Sequence, residues 1–174
     1  DLYLGKNEFE NFKNKLKDYS FWREFYDNHK LQLGLPYWQG VTKNRFVEDV
    51  IHYAPGMLED FHECCERQGL YDHFEPLDKD DDRIRILNEK ASTHKILQLK
   101  SKYGYVFNKL AFRLYAVEID TNCFIITGGT IKISRKMQEA TNTSLELKKL
   151  NYLVESLDNA GIHSMATYLD FIYQ

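Results

Sequence analysis

Residues 109–136, KLAFRLYAVEIDTNCFIITGGTIKISRK, decide the fold: two long apolar strands joined by a tight turn, the second running into positive charge. In the first, Leu110, Phe112, Leu114 and Ala116 lie out of phase with Ala111, Arg113, Tyr115, Val117 and Ile119, and Cys123 to Ile126 are all apolar, so both segments suit β-structure. Between them Asp120-Thr121-Asn122 supplies turn chemistry, because Asp and Asn tolerate left-handed backbone and bond locally, which closes a hairpin. Gly128-Gly129 is either a second two-residue hairpin or a bulge that bends one long strand. The bulge is preferred because the charge begins just beyond it.

Upstream, KILQLKSK at 95–102 alternates as a further strand. Ile96 shares a face with Gln98, Leu97 and Leu99 line the other, and Lys100 and Lys102 are placed with that second set, so the strand leaves the core as it becomes basic. RIRIL at 83–87 reads as a strand edge, and Tyr103-Gly104 as a turn. Several strands in succession with short connections favour an antiparallel sheet. Downstream, Thr143 or Ser144 caps a helix carrying Leu145, Leu147, Leu150, Leu153, Val154 and Leu157, stopped by Gly161, and Met165, Tyr168, Leu169 and Ile172 predict a short final helix.

The N-terminal half reads as helices. Asn7 caps one with Phe9, Phe12, Leu16 and Tyr19 at helical spacing, and Ser20 caps a second with Phe21, Trp22, Phe25 and Tyr26. Residues 31–37, with Gly34 and Pro36, read as a loop. A third helix follows Thr42 and ends at Ala54 before a proline; Pro55 opens a fourth with Met57, Leu58, Phe61 and Cys65, making a helical hairpin that ends at Gly69. The chain beyond is irregular as far as the acidic run Asp78-Lys79-Asp80-Asp81-Asp82. The expected fold class is therefore α+β: an acidic helical region (1–77), an acidic linker (78–82), and a basic antiparallel sheet with C-terminal helices (83–174), packed together.

With 174 residues the chain can bury a full core. No apolar run approaches the ~18 residues of a membrane span, so no membrane partner and a cytoplasmic location are expected. Cysteines 64, 65 and 123 make an odd set that favours reduced thiols. Charge is unevenly spread: residues 1–82 carry 10 Lys+Arg against 18 Asp+Glu, whereas residues 83–136 carry 11 against 3. That split suggests an anionic partner for the second half.

Three constellations could carry chemistry. His52, His62, Cys64, Cys65 and His73 lie close in sequence but lack any CxxC or HExxH spacing, so neither a metal nor another cofactor is expected. Arg23 to His29, Arg45 to His52 and Arg67 to His73 have a spacing like that of HEPN-type ribonucleases, though the arginine and histidine content produces such spacings by chance. The third is the basic sheet: Lys100, Lys102, Arg113, Lys132, Arg135 and Lys136 come from three neighbouring strands and could build a positive surface. Such a surface holds a phosphodiester and stabilises the extra charge of a five-coordinate phosphate. An arginine flanked by buried strand residues, as Arg113 is, reaches a specific anion or carboxylate rather than bulk solvent.

The order KILQLKSK, FRLYAVEI, CFIITGG and TIKISRKMQEATNTSLELKKL resembles the RelE/HigB toxin superfamily over roughly residues 94–155. The resemblance implies a RelE-like α+β fold and metal-independent endonucleolytic cleavage of mRNA on the ribosome, with the RNA 2′-hydroxyl as nucleophile. It makes Arg113, Lys132, Arg135 and Lys136 the catalytic set and Lys100 and Lys102 RNA-binding residues. It also implies a small helix-turn-helix antitoxin as partner. The alternative is a non-catalytic module whose basic sheet face docks a nucleic acid or an acidic protein.

Overall fold

A computed structural model describes residues 7–67, 69–77, 96–101, 105–107, 109–120, 123–134 and 136–173. The acidic run, the 83–87 segment and the Tyr103-Gly104 turn lie outside the described residues, as do Lys102 and Arg135. The architecture is α+β.

Helix α1 (Glu8–Lys17) starts where Asn7 Oδ1 accepts from Glu10 N, and buries Phe12 and Leu16. Helix α2 (Tyr19–Asn28) follows at once, capped by Asp18 rather than Ser20: Asp18 Oδ1 accepts from Phe21 N. The expected loop contains a short helix α3 (Lys30–Leu33) and a 3₁₀ turn (Pro36–Trp38) that buries Trp38.

Helix α4 (Lys43–Glu66), capped by Thr42, corrects the expected helical hairpin. It runs unbroken through Pro55. Phe46, Val47, Val50, Ala54, Met57 and Phe61 keep helical phase across the proline and are all buried, while Pro55 itself is exposed. Burial of that stripe outweighs the one backbone hydrogen bond that proline removes.

A four-residue helix α5 (Leu70–His73) then leads into β1 (Phe74–Pro76), a strand the sequence does not announce, with its proline at the strand end. Next come β2 (Leu97–Ser101), β3 (Tyr105–Phe107), β4 (Leu110–Asp120) and β5 (Cys123–Ile131), all pairing antiparallel. Strand β4 is central. One of its edges carries β5; the other carries β2 opposite residues 115–118 and β3 opposite residues 110–112, with β1 outside β2.

Asp120 pairs with Cys123 as part of the ladder, so the hairpin connection falls on residues 121–122, outside the described set. The paired glycine lies inside β5. Tyr115 pairs with Gly128 and Ala116 with Ile126, which leaves Thr127 as the extra residue of a β-bulge. Lys100 pairs with Tyr115, and Leu99 is buried with the opposite face, so Lys100 belongs with Ile96 and Gln98 and not with Leu99. The two-residue period of a strand requires this parity.

Beyond a 3₁₀ turn (Met137–Glu139), α6 (Thr141–Asn159) begins earlier than expected. Thr143 Oγ1 donates to the Met137 and Ala140 carbonyls instead of capping. Gly161, at φ 69°, lies just past the end of α6, and α7 (Met165–Ile172) is capped by Ser164.

Both faces of the sheet are covered. Leu110, Phe112, Leu114 and Ala116 face a cluster built by α1, α2 and α4, around Trp22, Phe25, Phe46 and Met57. Tyr115, Val117 and Ile119 face α6 through Leu150, Leu153 and Leu157. The alternation read in β4 thus serves two cores. Among the described residues, no helix is long and apolar enough to cross a membrane.

Candidate functional site

The site forms where both neighbours of β4 are irregular. Strand β2 ends at Ser101 and β3 begins its pairing at Phe112, so Arg113 and Leu114 sit opposite a break in the ladder. Ser101, fully buried, bridges that break: its carbonyl accepts from Arg113 Nη1, and its Oγ accepts from Leu114 N at 3.3 Å. On the other edge, the Thr127 bulge lies one residue pair further along.

Register then gathers the cations. Lys100 lies across from Tyr115, Thr130 across from Arg113, and Lys132 N donates to Ala111 O at 2.8 Å, which continues the ladder and puts Lys132 on the same face. The chain then turns at Ser134, whose hydroxyl donates to the Lys136 carbonyl, so Lys136 comes back over this end of the sheet. Lys136 N donates to Glu139 Oε2, which fixes the start of the 3₁₀ turn. Lys100, Arg113, Lys132 and Lys136 line one shallow, solvent-open pocket, with Leu77, Tyr115 and Met137 as its remaining walls.

Four of the six cations expected to act together therefore converge; Lys102 and Arg135 lie outside the described residues. Glu75, the register partner of Lys100, approaches its Nζ at 3.6 Å from the sheet edge. No carboxylate or imidazole is among the described lining residues.

Tyr115 is the pocket residue that sequence patterning missed. It is 2% exposed, its hydroxyl has no hydrogen-bond partner among the described residues, and it shares the pocket with Arg113. Burial pushes its phenol well above the usual range, the Glu146 charge adds to this, and Arg113 only partly opposes it. The phenol is therefore a hydrogen-bond donor at neutral pH and not a base. Its spacing of two from Arg113 was a visible signal, but its place beside Lys100 depends on strand register.

The arginines and His62 of the other constellations have partners of their own. His62 pairs with Glu66, Cys64 and Cys65 are free thiols, and no group of three or more His, Cys, Asp and Glu among the described residues could hold a metal ion. Arg23 bonds Asn44, Arg45 pairs with Asp49 and Arg67 with Glu63, so each arginine of the Arg-to-His spacings is engaged elsewhere.

What the pocket can do follows from its lining. Cations on several sides and one phenolic donor suit a tetrahedral oxyanion such as a phosphodiester, and would stabilise the additional charge of its five-coordinate state. No family model, curated protein or solved structure matches the chain.

Proposed function

We propose that the protein is a RelE/HigB-like endoribonuclease, the toxin of a toxin–antitoxin pair, acting on mRNA at the ribosome. The observation that carries this is the convergence of Lys100, Arg113, Lys132 and Lys136, with Tyr115, on one pocket. Arg113 holds the scissile phosphate, Tyr115 donates to a non-bridging oxygen, and Lys132, Arg135 and Lys136 neutralise the developing charge. Lys100 and Lys102 hold neighbouring phosphates. Attack of the 2′-oxygen forms the P–O2′ bond and breaks the P–O5′ bond, leaving a 2′,3′-cyclic phosphate and a 5′-hydroxyl. The 2′-proton goes to solvent base, and an ammonium of the Lys132–Lys136 segment returns one to the 5′-oxygen. A small helix-turn-helix antitoxin is the expected partner.

One observation favours a second reading, a non-catalytic module that docks RNA or an acidic protein: the described lining includes no carboxylate or imidazole to take the 2′-proton. For the nuclease the same observation predicts a rate that climbs about tenfold per pH unit through neutrality, measured by single-turnover cleavage, with no plateau from a neutral-range base.

The deciding experiment expresses the intact chain. Growth arrest, with mRNA fragments bearing cyclic phosphate ends, is expected; Arg113→Ala with Lys132→Ala, and separately the exposed Lys136→Ala, should relieve it while leaving the unfolding transition in place. Abundant folded wild-type protein without arrest or cleavage sinks the nuclease, and salt-dependent RNA binding in that case leaves the docking module.

A further inference from the structure

Tyr37 is 58% exposed, yet it is held at both ends. Its hydroxyl donates to the Lys109 carbonyl at 3.2 Å, and its ring meets the buried Trp38 in a T-shaped contact at 5.1 Å. The 3₁₀ turn that carries it is tied down again, because Lys109 Nζ donates to Gln39 O at 3.0 Å. An ordinary exposed tyrosine must give up rotamer freedom to bind anything. This one is already ordered, so a flat partner can stack on it at little entropic cost.

Its tethers also place it at the pocket end of the sheet. Lys109 immediately precedes β4, and Lys132 bonds the backbone of Ala111 two residues along. From the same loop, Gln32 Nε2 reaches Glu139 O at 3.5 Å, in the turn whose Met137 lines the pocket. Lys109 and Arg113 are about 13 Å apart at the rise of an extended strand, a span that a short run of unstacked nucleotides covers. Lys109, beside the tether, and Lys132, in the pocket, make this end of the sheet positive, which suits a phosphate backbone.

We propose that Tyr37 is a stacking platform for an unpaired base of single-stranded RNA whose backbone phosphate occupies the Arg113 pocket. This rests on the RNA reading given above and adds a contact that reads a base face rather than a phosphate. Stacking of this kind tolerates any base, so it orients and tightens the strand without sequence preference.

The test uses the intact chain and short single-stranded RNA oligonucleotides carrying 2-aminopurine. Tyr37→Ala should weaken binding about tenfold and abolish the 2-aminopurine quench at one position, with the salt slope unchanged. Tyr37→Trp should retain affinity and report RNA through its own indole fluorescence. Lys136→Ala should do the reverse of Tyr37→Ala, lowering the salt slope by about 0.7 while the quench persists. An abasic site at the quenched position should make wild type and Tyr37→Ala equal. Wild-type affinity and quench in Tyr37→Ala overturn the stacking contact alone. Absence of any RNA binding by the wild-type chain overturns the RNA reading and the stacking contact with it.

Discussion

At the scale of single residues, the two glycines of β5 do different work. Gly128 sits at φ 139°, and a Cβ there would lie 2.8 Å from Glu146 Oε2; Gly129 has an ordinary φ, but its Cβ would meet the Arg113 carbonyl and the Phe12 ring, both at 2.8 Å. Gly128→Ala and Gly129→Ala should each cost about 1–3 kcal/mol, read as lower urea midpoints. Gly129→Ala should also disturb the pocket, because the atom it presses is the backbone of Arg113. The space at Gly128 admits a clasp across the edge strand: Lys149 on α6 bonds Glu8 on α1 at 2.7 Å and Glu146 at 3.0 Å. Burial, the largest influence on Glu8, pushes its carboxyl up, but the hydrogen bond and charge of Lys149 outweigh it and hold the group below its ordinary 4.5. A lowered carboxyl stabilises the fold above 4.5 and stops doing so as pH falls through its native value. Glu8→Gln should therefore lower unfolding stability at pH 7, and its difference from wild type should fade on acidification below about 4.5. Glu146 runs the other way: burial raises its carboxyl, so its contribution is greatest in acid and is lost as pH rises.

Among the elements, α4 and the broken edge of β4 are the informative ones. Pro55 faces solvent, so the carbonyl of Ile51 that it leaves without an amide partner is on the exposed side of the helix. Replacing it with alanine restores that bond and removes the ring clash. Pro55→Ala should raise stability by about 1–3 kcal/mol, seen as a higher urea midpoint with unchanged slope. A local rule stopped the helix at Ala54, yet the phase of Phe46, Val50, Ala54, Met57 and Phe61 across the proline was legible and points to one helix. Strand β1 was not legible, since three residues ending in proline carry no period. The bulge was legible as the preferred of two options, a bent strand or a second hairpin, and only pairing with Tyr115 and Ala116 resolved it.

For the molecule as a whole, the sheet divides two charge environments. The layer of α1, α2 and α4, made net negative by α4 with its two Lys+Arg against six Asp+Glu, packs on one face, while the cationic pocket opens on the face that carries α6. An anion approaching the pocket therefore meets the basic segment first, with the acidic layer behind the sheet. The two cores share β4, whose successive residues alternate between them. Both tryptophans, Trp22 and Trp38, lie in the core of the N-terminal helices, and Leu150, fully buried, lies in the other. Leu150→Ala should cost about 2–5 kcal/mol, and the tryptophan fluorescence transition should shift together with the far-ultraviolet circular dichroism. A fluorescence transition unmoved by Leu150→Ala would mean that the two cores melt separately.

Local chemistry in the chain determined the caps at Asn7 and Thr42, the helical stripes, the alternation of β4 and the clustering of positive charge between residues 83 and 136. Each depends on partners two to four residues apart, and sequence records such distances directly. Tertiary structure alone decided the register that sets Lys100 beside Tyr115 and Lys132 beyond Arg113, the gap bridged by Ser101, and the assignment of the two faces of β4 to different helices. Those pairings join residues far apart in the chain, and a strand shifted by one position would present the same composition with every side chain on the opposite face.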